Sequence, residues 1–277
     1  MLAVRQILQF SAFVFISLSA LGQSSNFQLF GTTRIGDKGS GNVFKINPDG
    51  SSFTKLKSFD GTPGASPSSP IMASDGLLYG TTYYGGQFGR GVIYKMNPDG
   101  TGYEPIFSFN DAASGNNPSG KLMQGQDGFL YGTTYGGIGG RGVLYKIKTD
   151  GTLFQVLVDF NSSFKGGYPI GGVIQLPNGD LYGMTSWGGD FRSGVIFKVR
   201  PDGSNFTRLF DFDDTKGSYP TGRLTYGSDG ILYGMTNLGG ANGVGVIFKI
   251  NSNGTGFSIL NEFDSFGGNP TGDLMRV

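Results

Sequence analysis

Leu78-Tyr-Gly-Thr-Thr82 returns as Leu130-Tyr-Gly-Thr-Thr134, Leu181-Tyr-Gly-Met-Thr185 and Leu232-Tyr-Gly-Met-Thr236, with a looser first copy at Leu29-Phe-Gly-Thr-Thr33. The aromatic residues of these tracts, Phe30, Tyr79, Tyr131, Tyr182 and Tyr233, stand 49, 52, 51 and 51 residues apart. A period of about 50 residues belongs to four-stranded propeller blades and not to the shorter helical solenoid units. The chain is therefore built from one repeat, and each repeat is expected to be one small sheet.

Working outward from the third copy, strand-length apolar runs fall at 120–124, 129–135, 142–147 and 153–160. Gln126-Asp-Gly128 and Thr149-Asp-Gly151 separate them, and Asp-Gly supplies the positive φ that a tight hairpin demands. Pro-Asp-Gly at 48–50, 98–100 and 201–203 does the same elsewhere. The third-strand column is the clearest: Val43-Phe-Lys-Ile46, Ile93-Tyr-Lys-Met96, Leu144-Tyr-Lys-Ile147, Ile196-Phe-Lys-Val199 and Ile247-Phe-Lys-Ile250. The fourth strands end on Phe59, Phe109, Phe160, Phe212 and Phe263, each followed by Asp or Asn. No segment shows a helical period.

The two ends are complementary. Residues 27–59 carry strands two to four of a repeat without a first strand, whereas Pro270-Thr-Gly-Asp-Leu-Met-Arg-Val277 matches first strands such as Pro220-Thr-Gly-Arg-Leu224. The expectation is an all-β, five-bladed β-propeller of four-stranded antiparallel blades. It would occupy residues 23–277 as a single domain of ~51-residue repeats, closed by pairing the C-terminal strand with the N-terminal blade, which removes both sheet edges together. A right-handed β-solenoid is the alternative, but it needs terminal caps. Gly120, Gly171, Gly222 and Gly272, with Ser69 in the remaining copy, put a small residue on the first strand, where a narrow axis crowds the chain.

Residues 1–22 read as a signal peptide: Arg5, an apolar stretch from Ile7 to Leu21, and small residues Ala20 and Gly22 before Gln23. That stretch is shorter than the roughly 20 apolar residues a spanning helix needs, so no transmembrane segment is expected in the mature chain. Localisation is then secreted or extracytoplasmic, in the periplasm or at the cell surface. There is no cysteine, which excludes disulfides and a lipidated N-terminal cysteine. The whole chain carries 21 Lys and Arg against 20 Asp and Glu, and loss of Arg5 with the leader brings it to neutrality, which favours neither nucleic acid nor acidic lipid.

Histidine is absent, which excludes Ser-His-Asp triads, histidine general bases and nearly all zinc sites. No catalytic residue, metal site or cofactor is expected, although paired carboxylates or a tyrosine with a cation leave a polysaccharide lyase or hydrolase as the alternative. Asp49, Asp99, Asp150 and Asp202, with Asp75, Asp127, Asp180 and Asp229, belong to the repeat's turns, and Asp60, Asp213 and Asp264 end fourth strands. Asp37, Asp111, Asp190, Asp214, Asp273, Glu104 and Glu262 break the pattern, but no pair among them stands out. Gly137-Ile-Gly-Gly-Arg-Gly142 spells a dinucleotide fingerprint, yet a strand follows it where a helix N-terminus is required.

Variation concentrates in the loop between strands two and three. Position for position before its Gly-Gly, neighbouring repeats offer Tyr84, Tyr135 and Trp187, and each loop then supplies a cation, Arg90, Arg141 or Arg192. Aromatic faces beside arginine suit stacking on sugar rings and hydrogen bonding to hydroxyls or carboxylates, while the plainer role for the same side chains is to fill gaps between repeats. Lys121, Arg223 and Asp273 share a first-strand column near the expected axis and form a second ligand-binding candidate. The lysine column Lys45, Lys95, Lys146, Lys198 and Lys249 is expected to lay its stems on the sheet and its charges in solvent.

The unit Leu-Tyr-Gly-Thr-Thr-x-Gly-Gly, a loop, then Gly-Val-(Ile/Leu)-(Tyr/Phe)-Lys, best quoted at residues 130–146, resembles the GloVer repeat of Gloeobacter–Verrucomicrobium type over residues 29–277. The resemblance implies an envelope or extracellular bacterial protein, often with a C-terminal sorting or anchoring module, which this sequence lacks at Val277. A fainter likeness links it to kelch units, though these usually carry one tryptophan per blade and Trp187 stands alone here. The expected function is a monomeric, non-catalytic binding or interaction propeller whose partner is a glycan or an envelope component. A purely structural or adhesive module is the third possibility.

Overall fold

The computed structural model describes residues 27–111, 113–264 and 266–276; the expected leader at 1–22 lies outside these residues, as does Val277. The second-, third- and fourth-strand columns all become strands. The first sheet is β1 (Leu29–Thr33), β2 (Asn42–Ile46) and β3 (Thr54–Ser58). The second is β4 (Ala65–Pro67), β5 (Ile71–Met72), β6 (Leu78–Tyr84), β7 (Val92–Met96) and β8 (Glu104–Ser108). The third is β9 (Asn116–Pro118), β10 (Met123–Gln124), β11 (Leu130–Gly136), β12 (Val143–Ile147) and β13 (Gln155–Asp159). The fourth is β14 (Val173–Gln175), β15 (Leu181–Thr185), β16 (Val195–Val199) and β17 (Thr207–Asp211). The fifth is β18 (Thr225–Tyr226), β19 (Ile231–Met235), β20 (Val246–Asn251) and β21 (Ser258–Glu262).

Each sheet is an antiparallel meander in chain order, and no helix occurs among the described residues. The chain groups into two compact units, one ending at Phe109 and holding the first two sheets, the other running Asn110–Arg276 and holding the remaining three.

Within each sheet the middle strands are more buried than the last, as in β6 and β7 against the half-buried to exposed β8. The glycine of the Leu-Tyr-Gly tract explains this seam. Gly80 lies opposite Tyr94, Gly132 opposite Tyr145 and Gly183 opposite Phe197, and the facing ring occupies the place a Cβ on the glycine would take. A Cβ on Gly132 would meet the Tyr145 hydroxyl at 2.3 Å, so this glycine is a slot for an aromatic ring and not a turn. Neighbouring sheets within a unit then pack through those rings: Tyr103 reaches Phe59 at 5.8 Å and Tyr94 at 5.4 Å, and Phe257 stacks on Phe210 at 4.2 Å. Full burial of each such ring contributes about 1.5–3 kcal/mol.

The first strands differ from expectation. Both β4 and β5 pair with β6, and both β9 and β10 pair with β11, so the inner strand is broken into two pieces. Ahead of the break stands an Xaa-Pro pair whose first residue has positive φ: Ser66 (54°) and Asn117 (54°), inside β4 and β9, with Tyr168 (56°), Tyr219 (55°) and Asn269 (58°) at the same position of later repeats. A left-handed residue takes the backbone out of the pleat, and the following proline has no N–H for the ladder. Just beyond, the inner edges converge. A Cβ on Gly171 would lie 2.0 Å from the Gly222 carbonyl oxygen, and one on Gly222 1.7 Å from that of Gly272, which is the crowding the glycine column anticipates.

The first sheet is three-stranded, β1 pairs with β2, and residues 270–276, expected to supply a strand beside β1, carry no strand. They follow the inner edge of the fifth sheet, where Asn269 N–H donates to Val244 O at 2.7 Å and the Thr225 hydroxyl donates to Leu274 O. Tyr168 N–H to Arg141 O (2.7 Å) and Tyr219 N–H to Ser193 O (2.9 Å) are the same bond in earlier repeats.

All five sheets carry the same irregularity between their third and last strands, at Val43/Phe44, Ile93/Tyr94, Leu144/Tyr145, Ile196/Phe197 and Ile247/Phe248. Each is a β-bulge that leaves one aliphatic residue of the last strand without a partner: Leu56, Ile106, Leu157, Leu209 or Leu260.

Candidate functional site

The loop between the second and third strands is set by the last threonine of the repeated tract. Thr134 Oγ1 accepts the Val143 N–H at 3.0 Å and donates to Gly136 O at 2.7 Å, so one hydroxyl ties the loop's entrance to its exit. Thr82, Thr185 and Thr236 make the same pair of bonds. Loop side chains therefore start from fixed points.

In the unit 110–276 the Arg141 guanidinium lies 3.8 Å from the centroid of the Trp187 ring, the aromatic residue of the following repeat's loop. Gly167 sits against both, and its carbonyl and N–H exchange hydrogen bonds with Trp187. Such a stack contributes about 0.5–2 kcal/mol and occupies one face of the indole. Tyr135, an exposed ring, packs on Tyr168 at 4.9 Å and 31°. Arg192, exposed and at φ 62°, lines a cleft of about 370 Å³ with Ser163, Phe164, Asp190 and Arg208. Arg208 is committed there: it pairs with Asp190 at 3.0 Å and Asp211 at 3.2 Å and lies 5.0 Å from the Phe164 ring. Burial pushes the Asp211 carboxyl up, against the pull of Arg208. Tyr84 and Arg90 belong to the other unit, where Tyr84 is exposed and packs edge-on to Tyr83 at 4.7 Å.

The structure thus brings Arg141 to Trp187 and gives Tyr135 a neighbour that the sequence reading passed over. Tyr168 and Tyr219 hold the same left-handed position before proline, where three other repeats use Ser66, Asn117 and Asn269, of which asparagine tolerates it far better. Tyr219 is 44% exposed. A tyrosine in a column of Ser and Asn before proline was the available signal.

The first-strand cluster is also assembled. Asp273 accepts the Arg223 backbone N–H at 2.7 Å on one oxygen and pairs with Arg223 Nε at 3.1 Å on the other. Lys121 is electrostatically coupled to both. Of the lysine column, Lys146 donates to Pro201 O at 3.0 Å and Lys95 pairs with Glu104 at 3.1 Å, with all five side chains half-buried.

The carboxylates that break the repeat all have structural partners. Asp37 pairs with Lys55 at 2.8 Å, which holds its carboxyl down at about 2, and Asp111 accepts from Asn116. Asp214 accepts from Ser193 at 3.3 Å and Glu262 from Ala241 N–H at 2.8 Å. Within the repeat, Asp75, Asp127 and Asp229 accept the hydroxyls of Tyr79, Tyr131 and Tyr233 at 2.6–2.7 Å.

The family model described as the Gloeobacter/Verrucomicrobia repeat matches residues 16–139 and 135–277, and the chain belongs to this family. No curated protein sequence matches it. Among solved structures it is similar to a chain of the nidogen/laminin complex (TM-score 0.58, 15% identity, 88% of this chain and 80% of that one). It is also similar to a gluconolactonase from Xanthomonas campestris (TM-score 0.58, 14% identity, 89% and 75%). A third similar structure is TolB from Acinetobacter baumannii (TM-score 0.53, 17% identity, 80% of this chain), of which the chain spans 49%. These neighbours are propeller-like, and at such identities they speak to the fold alone.

Proposed function

We propose that this member of the Gloeobacter/Verrucomicrobia repeat family is a secreted or envelope protein that binds carbohydrate without catalysis, on a closed ring of five blades. The export signal read at residues 1–22 supports the location. Ring closure is supported by the matching repeat fragments at the two ends.

The observation that carries the binding function is the pair of tyrosines in left-handed backbone. Holding an L-residue there costs about 1–2 kcal/mol, and Asn would relieve much of it. Strain retained at an exposed ring is the mark of a ligand surface. Tyr135 stacked on Tyr168, with the Arg141–Trp187 stack bonded to the adjacent backbone, gives apolar faces for sugar rings and guanidinium donors for their hydroxyls.

Tyr219→Asn tests this, because it installs the residue found at the same position in other repeats. Thermal stability is expected to stay level or rise, while affinity for a neutral oligosaccharide identified on a glycan array drops roughly three- to tenfold. Unchanged affinity in a folded variant, or an array without any binder, overturns the proposal.

A further inference from the structure

Each loop between the second and third strands closes on the same backbone bond: Gly39 N–H to Gly36 O, Gly89 to Gly86 O, Gly140 to Gly137 O, Arg192 to Gly189 O and Gly243 to Gly240 O. All five donors are left-handed, with φ of 80°, 73°, 85°, 62° and 74°. Only the fourth repeat carries a side chain there. The place is roomy, because a Cβ on Gly39, Gly89, Gly140 or Gly243 would meet nothing within 4 Å, so the penalty at Arg192 is backbone strain that glycine avoids. No contact offsets it: the Arg192 guanidinium makes no hydrogen bond, ion pair or ring contact among the described residues.

Arg192 instead lines the cleft of about 370 Å³ in the unit 110–276, together with Ser163, Phe164, Gly189, Asp190 and Arg208. Small-molecule sites begin at about 300 Å³, so the space suits one sugar ring. Arg208 is committed to Asp190 at 3.0 Å and Asp211 at 3.2 Å, which leaves Arg192 as the cation open to a ligand. Asp190 gives Arg208 its Oδ1 and its side chain is 67% exposed, so Oδ2 is an acceptor facing solvent. Ser163 is exposed, and its hydroxyl makes no hydrogen bond among the described residues. Phe164, 58% exposed, adds an apolar wall.

A guanidinium fork matches a planar carboxylate, the Asp190 oxygen and the Ser163 hydroxyl match sugar hydroxyls, and the Phe164 ring matches the C–H face of a pyranose. Asp190 also selects. A ligand with a carboxylate at one end and hydroxyls at the other satisfies both charges, whereas a doubly charged phosphate would meet its repulsion. We infer that this cleft is a site for a uronate-type sugar acid, with Arg192 holding the carboxylate. It goes beyond the aromatic surface proposed above, shares no residue with it and does not depend on it.

Titration calorimetry at fixed ionic strength with glucuronate, glucuronamide and acetate tests the inference. Glucuronate is expected to bind saturably, and the other two about tenfold or more weakly, since the amide lacks the charge and acetate lacks the ring. Arg192→Gly installs the residue of the other four repeats. Its melting temperature should stay level or rise, while glucuronate affinity falls about tenfold, to the level of glucuronamide. Arg192→Gln, which keeps a side chain on the same backbone, should lose the same preference. Absent glucuronate binding, equal affinity for glucuronate and glucuronamide, unchanged affinity in Arg192→Gln, or a lower melting temperature in Arg192→Gly overturns the inference. Tyr219→Asn should leave glucuronate affinity unchanged and Arg192→Gly should leave neutral oligosaccharide binding unchanged, so failure of this cleft and failure of the aromatic surface read out separately.

Discussion

The seam between the second and third strands barely changes from repeat to repeat, whereas the inner edge changes every time. At the seam a glycine always faces an aromatic ring and a threonine always clamps the loop. At the inner edge the backbone is as constant, with φ between 54° and 58° before each proline, but the side chains read Ser, Asn, Tyr, Tyr and Asn, then Pro, Lys, Gly, Arg and Asp four places on. A uniform backbone that carries unlike side chains is a frame on which chemistry can vary while the fold stays the same. The seam supplies the stability, and the inner edge can afford to specialise.

The largest expected effect breaks the inner edge itself. In Gly222→Ala the new methyl would fall 1.7 Å from the Gly272 carbonyl oxygen, and backbone cannot yield as a side-chain tip can. A loss of about 3 kcal/mol is expected, or roughly 6–12 °C in melting temperature, read by calorimetry; a drop under 2 °C would show that the inner edges are not tightly converged. At the seam, Thr134→Val removes one acceptor and one donor and leaves the Val143 N–H and Gly136 O unsatisfied. Urea unfolding should register a loss of about 1–3 kcal/mol. The smallest effect has the opposite sign. The Tyr94 hydroxyl is fully buried without a hydrogen bond, and burial pushes its ionisation far above the usual phenol range. Three other repeats use phenylalanine there, so Tyr94→Phe should gain about 1 kcal/mol; a loss instead would mean that the hydroxyl has a partner in solution.

The meander was legible because each of its signals is local. A tract such as Leu144-Tyr-Lys-Ile147 is a strand on its own terms, and Asp150-Gly151 makes its turn whatever surrounds it: Asp150 accepts the Thr152 N–H at 2.8 Å. The inner strand was misjudged, with 120–124 expected and the paired pieces found at Asn116–Pro118 and Met123–Gln124, because a gap between two such short pieces leaves no pattern of polarity. The function of Gly132 was also hidden, since a slot is defined by the ring that fills it from the next strand. For the candidate site, the variation of the loop side chains was visible in the sequence, but their pairing was not. Arg141 meets Trp187 across a repeat boundary, a contact that depends on how neighbouring sheets are stacked.

The five bulges bear on how such a molecule stays dispersed. Each sheet ends on a strand with one edge unpaired, β3, β8, β13, β17 or β21, and five open edges in one chain would ordinarily invite strand-to-strand aggregation. A bulge at the same height in every sheet twists that last strand and interrupts its run of evenly spaced donors and acceptors. Lys55 and Lys57 on β3, Pro105 on β8 and Arg208 on β17 further discourage an incoming strand. The irregularity that looks like a flaw in each ladder is what lets the repeat be copied five times in a row without becoming adhesive to its own kind.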